Sequence, residues 1–164
     1  MIIISEVFAK DFKNIQEIAN IAWPKTYEKI LSRAQIEYML ELFYSDGALL
    51  KNLNDGHHFL LATENSKPLG FAAYEPHYHS KNQIRLHKLY LLPKAQGKGV
   101  GKLLIQEVER KAKENNDETI SLNVNRFNKA YLFYLKNGFQ IIAEEDLAIG
   151  QGYLMEDYKM EKQL

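Results

Sequence analysis

The sequence predicts an α/β chain of the α+β type: one domain, residues 1–164, built on a mixed central sheet of about seven strands with helices on both faces. Three observations predict it. Strand-like and helix-like periodicities follow the order β-α-α-β-β-β-α-β-α-β-β. A strand, a glycine-rich turn and a helix succeed one another around residue 97, the one place that calls for a parallel crossover. Finally, 164 residues with 46% apolar and 12% aromatic content suffice for one core.

Phe12, Ile15, Ile18, Ala19 and Ala22 recur at helical spacing after an opening strand, and Trp23-Pro24 is expected to end that helix. Ser32 with Gln35 resembles a capping box, and Ile36, Met39, Leu40 and Phe43 line one face of a second helix. Asp46-Gly47 and the polar stretch 51–56 are expected to close this mostly helical region, residues 1–56, as loop. Strands then follow: 58–64 and 68–75 as a hairpin around Asn65-Ser66-Lys67, and a third run over 83–92.

Val100, Leu103, Leu104, Val108 and Ala112 mark a long amphipathic helix, with Glu107/Lys111 and Glu109/Lys113 as i,i+4 pairs and an end at Asn115-Asn116-Asp117. Ile120, Leu122 and Val124 alternate as a strand, and 128–137 is a helix stopped by Gly138. Within 139–160, residues 139–145 and 153–160 pair as closing strands. The last is expected at a sheet edge, where a second copy could pair to give a homodimer.

Composition removes several functions. Lysine plus arginine and aspartate plus glutamate number 21 each, so bulk charge does not favour nucleic acid or an acidic membrane as partner. No cysteine is present, which excludes disulfides, thiolate nucleophiles and Cys-based zinc sites and fits a cytoplasmic location. No run approaches the roughly 20 apolar residues of a membrane span. The opening Met1-Ile2-Ile3-Ile4-Ser5-Glu6 lacks a basic stretch and reads as a strand rather than a targeting peptide. His57, His58, His77 and His79 lie in polar stretches without a placed carboxylate and read as surface residues, so no metal is expected.

The chemistry is carried by the stretch from Leu89 to Leu104. An apolar run ends at Pro93, and Gly97, Gly99 and Gly101 precede a helix at alternate positions. Backbone amides free of Cβ atoms can converge there on an anion, and the helix adds its positive dipole end. A dinucleotide fingerprint from Gly97 would need glycine or alanine where Lys102 stands, and a Walker A loop would need Ser or Thr after Gly-Lys. Neither fits. What remains is a phosphate site with the pattern Gln-x-x-Gly-x-Gly, carried by Gln96, Gly99 and Gly101.

That pattern is similar to the coenzyme A pyrophosphate loop of the GNAT superfamily of N-acetyltransferases. The family's other signature resembles the segment 122–139, where a strand leads to Ala130, Tyr134, Gly138 and Phe139 in register. The asparagine expected three before the alanine is replaced by Phe127, leaving Asn125 and Asn128 as candidates. The element order is also that of this family, and Trp23-Pro24-Lys25-Thr26-Tyr27 weakly resembles bacterial polyamine acetyltransferases.

The resemblance implies acetyl-CoA as cosubstrate, bound by the core 83–139 between the third middle strand and the strand at 120–124. Its pyrophosphate would meet Gln96, Gly97, Lys98, Gly99, Val100, Gly101 and Lys102. Its pantetheine would lie along Leu89, Tyr90 and Leu91, near Asn125 or Asn128 and Tyr131, with the Leu91 amide polarising the acetyl carbonyl. Tyr134 takes the family's general-acid place; a phenol with a pKa of about 10 can donate to a thiolate and stay protonated at neutral pH. An alkyl ammonium acceptor, with a pKa near 10, must lose a proton, and His87 (directly or through water) and Glu75 are the candidate bases. The helical first third covers the acceptor side in this family, so Tyr27, Tyr38, Phe43 and Tyr44 with Glu28, Glu37 and Glu41 would give an acidic, aromatic wall suited to a cation. The expected function is acetyl transfer to a primary amine of a polyamine-like small molecule, or of a peptide or protein. A non-catalytic acyl-CoA-binding sensor on the same fold is the alternative.

Overall fold

A computed structural model describes residues Met1–Leu164. In chain order its elements are β1 (Ile2–Val7), α1 (Phe12–Tyr27), α2 (Arg33–Tyr44), α3 (Asp46–Asn54), β2 (His58–Glu64), β3 (Lys67–Glu75), β4 (Gln83–Leu91), α4 (Val100–Glu114), β5 (Thr119–Asn125), α5 (Ala130–Lys136), β6 (Gln140–Ala148) and β7 (Leu154–Gln163). All seven strands share one sheet in the order β1-β2-β3-β4-β5-β7-β6. Every neighbouring pair is antiparallel except β4 and β5, which α4 connects.

The parallel pair is short. Gln83, Ile84 and Arg85 face Thr119, Ile120 and Ser121, and the ladder stops there. Yet β4 continues beside β3 to Leu91, and β5 continues beside β7 to Asn125. The two halves of the sheet therefore part like a V from Leu86 and Leu122 onward.

Strand β4 also carries a bulge, because its register with β3 passes from Leu86 opposite Tyr74 to Lys88 opposite Ala73. Leu86 and Leu89 both pack toward α4, so the intervening His87 and Lys88 turn together to the other face.

Each face of the sheet has its own core. Val100, Leu104, Ile105, Val108 and Ala112 of α4 pack on Leu60, Ala72, Ile84, Ile120 and Leu122. On the opposite face, Ile15, Ile18, Ala19 and Trp23 of α1 and Ile36 and Met39 of α2 pack on Phe59, Leu61, Phe71 and Ala73. Fully burying each large apolar side chain contributes about 1.5–3 kcal/mol, which ties the helical first third to the sheet. No helix is long and apolar enough to cross a membrane.

Several local expectations are corrected. Pro24 lies inside α1 rather than ending it. A proline lacks only the amide that would bond one turn back; Glu28 N–H still reaches the Pro24 carbonyl, and Trp23 and Tyr27 bury on either side. Residues 46–54 form α3 instead of loop, started by Ser45 Oγ, which accepts a bond from the Ala48 amide at 3.2 Å. Ser32 caps α2, but the Gln35 side chain donates to the Leu154 carbonyl on β7 and does not close a capping box. The helix expected over 128–137 begins only at Ala130, because Asn128 is spent on the preceding turn.

The expected pairs Glu107/Lys111 and Glu109/Lys113 do not form. Glu107 binds Arg110, and Glu109 binds Lys162 on β7. β7 is not an edge strand: it sits between β5 and β6, so the free edge on that side is β6.

Candidate active site

The V between β4 and β5 opens into a cavity of about 380 Å³ on the α1/α2 face of the sheet. Trp23, Tyr27, Met39 and Phe43 form its helical wall, and His87, Lys88 and Tyr90 of β4 with Asn123 and Asn125 of β5 form its floor. The wall and floor are locked by a hydrogen bond of 2.8 Å between the Tyr27 and Tyr90 hydroxyls and by the Trp23 and Tyr90 rings, 5.4 Å apart.

On the other side of the V stands the glycine loop. Gly97 and Gly99 adopt left-handed conformations, with φ +81° and +78°, and a Cβ at either would touch nothing, so glycine is required there by backbone conformation alone. Gly101 is helical, and a Cβ there would come within 3.1 Å of the Phe133 ring, so its requirement is close packing of α5 on the start of α4. The first amides of α4 have no intrahelical carbonyl to bind, and no carboxylate stands in its first turn. Val100 is buried beneath the loop, while Gln96 and Lys102 are exposed. Lys98 is exposed too, with Nζ 3.3 Å from Glu64, a pair of a kind worth about 0–1 kcal/mol.

Between loop and cavity runs the free side of β4. The Leu92 amide donates to Leu69 on β3 at 2.8 Å. Backbone groups alternate along a strand, so the amides of Leu91 and Leu89 turn the other way, into the V.

Across the V, Asn125 Oδ1 accepts from the Phe127 amide at 2.9 Å and Asn128 Oδ1 from the Ala130 amide at 3.0 Å. The two asparagines thus shape the turn that launches α5. Tyr131 stands edge-on to Tyr158, ring centres 5.3 Å apart. One turn on, Tyr134 is only 7% exposed, lines the cavity, and makes no side-chain hydrogen bond within the chain. Burial pushes its phenol above the usual 10, keeping it protonated.

The bulge of β4 gathers a cluster at the cavity floor. His87 Nε2 lies 2.9 Å from Glu75 Oε1, His57 Nε2 lies 3.4 Å from the same oxygen, and the two imidazoles stack 3.9 Å apart at 6°. Rings so nearly parallel cannot both aim an in-plane lone pair at one ion, so the trio does not make a metal site as it stands. Burial, and after it the charges of Arg85 and Lys88, pushes His87 down to about 3; burial and the His87 neighbour push His57 down to about 4. Lys88, also largely buried, is pushed down to about 8 and is held by the Phe43 carbonyl and Asn52 Oδ1.

Residues 12–139 match the acetyltransferase (GNAT) family. The chain belongs to the GNAT family of acetyltransferases. It is 32% identical over 159 residues to the spermidine N(1)-acetyltransferase of Thermoplasma acidophilum, covering 93% of this chain and 94% of that one. It is 30% identical over 139 residues to the [ribosomal protein bS18]-alanine N-acetyltransferase of Haemophilus influenzae, covering 85% and 82%. The crystal structure of the PaiA N-acetyltransferase from Thermoplasma acidophilum in complex with coenzyme A superposes with a TM-score of 0.84 at 29% identity, covering 100% of this chain and 99% of that one. This GNAT protein is an N-acetyltransferase, and acetyl-CoA is its cosubstrate.

The GNAT cavity differs from the sequence expectation in its acids. Glu28, Glu37 and Glu41 are exposed and none lines it. Tyr27 and Tyr44 are buried in the wall, and Tyr38 instead binds the Ile149 carbonyl at 2.7 Å. The carboxylate that does line the cavity is Asp157 of β7, and the histidine that joins His87 is His57, read from sequence as a surface residue. No local pattern marks either residue. His57 is placed by α3 and Asp157 by the order β5-β7, and both arrangements exist only in three dimensions.

Proposed function

We propose that this N-acetyltransferase passes the acetyl group of acetyl-CoA directly to a primary amine, on a polyamine-like small molecule or at a peptide or protein amine. The observation that carries the reading is the convergence of donors on one cavity: the Leu89 and Leu91 amides turned into the V, and the partner-free hydroxyl of Tyr134. With pyrophosphate at residues 96–102 and pantetheine beside β4, the thioester sits where those donors meet. The Leu91 amide then stabilises the oxyanion, a contribution of roughly 3 kcal/mol. Tyr134 protonates the departing thiolate, whose own proton affinity rises in the same dry surroundings.

Within this reading His87 lines the floor rather than taking the proton, and Glu75, bonded to His87, does not itself line the cavity. Burial pushes the His87 imidazole down to about 3, so it takes a proton far less readily than an ordinary imidazole. A cavity of about 380 Å³ suits a slender amine or a chain end.

The test is release of CoA thiol from acetyl-CoA with spermidine, a peptide beginning with alanine, amino acids and aminoglycosides. Saturable, amine-dependent release with at least one of them is expected. Tight CoA binding without release for any of them would favour a sensor.

A further inference from the structure

Asp157 is the one acidic side chain lining the cavity, and it is 5% exposed. Its Oδ2 accepts from Asn123 Nδ2 at 3.2 Å, while its Oδ1 has no hydrogen-bond partner. A buried carboxylate oxygen left unpaired costs free energy that a donor entering the cavity would recover.

The groups that face this carboxylate come from each neighbouring strand. On β5 they are the neutral amides Asn123 and Asn125, the latter directly opposite in the ladder. On β6 Glu145 stands opposite and shares the Asn123 amide at 2.9 Å. Arg85 of β4 reaches Asn123 Oδ1 at 2.7 Å, and Arg126 donates to the Asp157 carbonyl at 3.3 Å while its charge is paired with Asp146. Neither arginine forms a salt bridge with the Asp157 carboxylate. On α1, Tyr27 lines the same cavity, its hydroxyl bonded to that of Tyr90. Asp157 and Tyr134, the group assigned to protonate the thiolate, both line this one cavity.

We propose that Asp157 is the acceptor's ammonium site: its unpaired Oδ1 receives a cationic primary amine inside the cavity, takes one proton from it, and releases the neutral amine onto the thioester. The proposal rests on reading this cavity as the acceptor side. The carboxylate becomes a carboxylic acid as R–NH₃⁺ becomes R–NH₂. The nitrogen lone pair then forms the C–N bond, the C–S bond breaks, and the thiolate takes the Tyr134 proton. The second proton lost by the nitrogen restores Tyr134, and the first leaves from Asp157 to solvent. Burial and Glu145 both raise the Asp157 carboxyl above the usual range, which makes it a better proton acceptor than an exposed aspartate.

The experiment compares the wild type with Asp157→Asn and Asp157→Glu, using spermidine, an alanyl peptide and a hydrazide whose nitrogen is already neutral at pH 7. Asp157→Asn is expected to lower kcat/KM for the alkyl amines about 100-fold at pH 7, with the deficit shrinking as pH rises, while the hydrazide reacts within threefold of wild type. Asp157→Glu should restore part of the loss, and the KM for acetyl-CoA should not move. Equal activity of Asp157→Asn on alkyl amines would overturn the proposal, and so would an equal loss on amine and hydrazide. Should Asp157→Asn fail to bind CoA, the wild type decides. Its kcat/KM for the hydrazide should lack the acid limb seen with the alkyl amines, and a shared limb would overturn the proposal. A wild type inactive on every acceptor would instead sink the acetyltransfer reading itself.

Discussion

Tyr134 shows what a single residue can reveal from sequence and what it cannot. Its register with Ala130 and Gly138-Phe139 pointed to the acid role, and folding buries it at the cavity with a free hydroxyl. Tyr134→Phe keeps the ring contacts with Phe139 and removes only the donor. We expect kcat to fall about 100-fold with an alkyl amine and the KM for acetyl-CoA to stay within twofold; unchanged turnover would remove Tyr134 from the chemistry. Asp157 and His57 were invisible at this scale. Each is an ordinary polar residue until a distant segment, β5 for Asp157 or the β4 bulge for His57, is brought beside it.

At the scale of elements, the strand-loop-helix around Gly97 was legible because its demands are local: an apolar strand, left-handed glycines and a helix start. The three glycines nonetheless serve different ends, and only contact with α5 distinguishes Gly101. Gly101→Val should push the Phe133 ring away and disturb the first turn of α4. Calorimetry should show weaker CoA binding, and thermal unfolding a lower midpoint, since overpacking typically costs about 1–3 kcal/mol of stability. Affinity equal to wild type would mean that the anion site does not depend on this packing. Helix α3 was missed because Asp46-Gly47 is a turn signal, yet Ser45 caps the segment and Leu49 anchors it fully buried. The placement of β7 inside the sheet was missed because hairpin strands carry no mark of which one pairs inward.

At the scale of the molecule, the sheet splits because β4 and β5 belong to separate antiparallel halves that share only a short parallel seam. The polar floor beneath that split has a pH signature. His57 and His87 titrate in the folded protein at about 4 and 3, below the reference value of about 6.5. Above that reference both states hold neutral imidazoles and the pair adds no pH dependence. Below it the unfolded chain takes up protons that the folded chain refuses, so stability falls as pH drops toward the folded values. Thermal unfolding should therefore show a lower midpoint at pH 5 than at pH 7, and His87→Gln should narrow the gap. An unchanged gap would mean that these imidazoles remain accessible to protons in the folded state.

Direct transfer within one cavity is tested most directly by a single-turnover experiment. Enzyme in excess over acetyl-CoA is followed by mass spectrometry, first without and then with an accepted amine. The structure predicts no acetylated protein and no free CoA before the amine arrives, then acetylamine and CoA in equal amounts after it. Acetyl groups appearing on the protein before any amine is added, and passing from there to the amine, would contradict it.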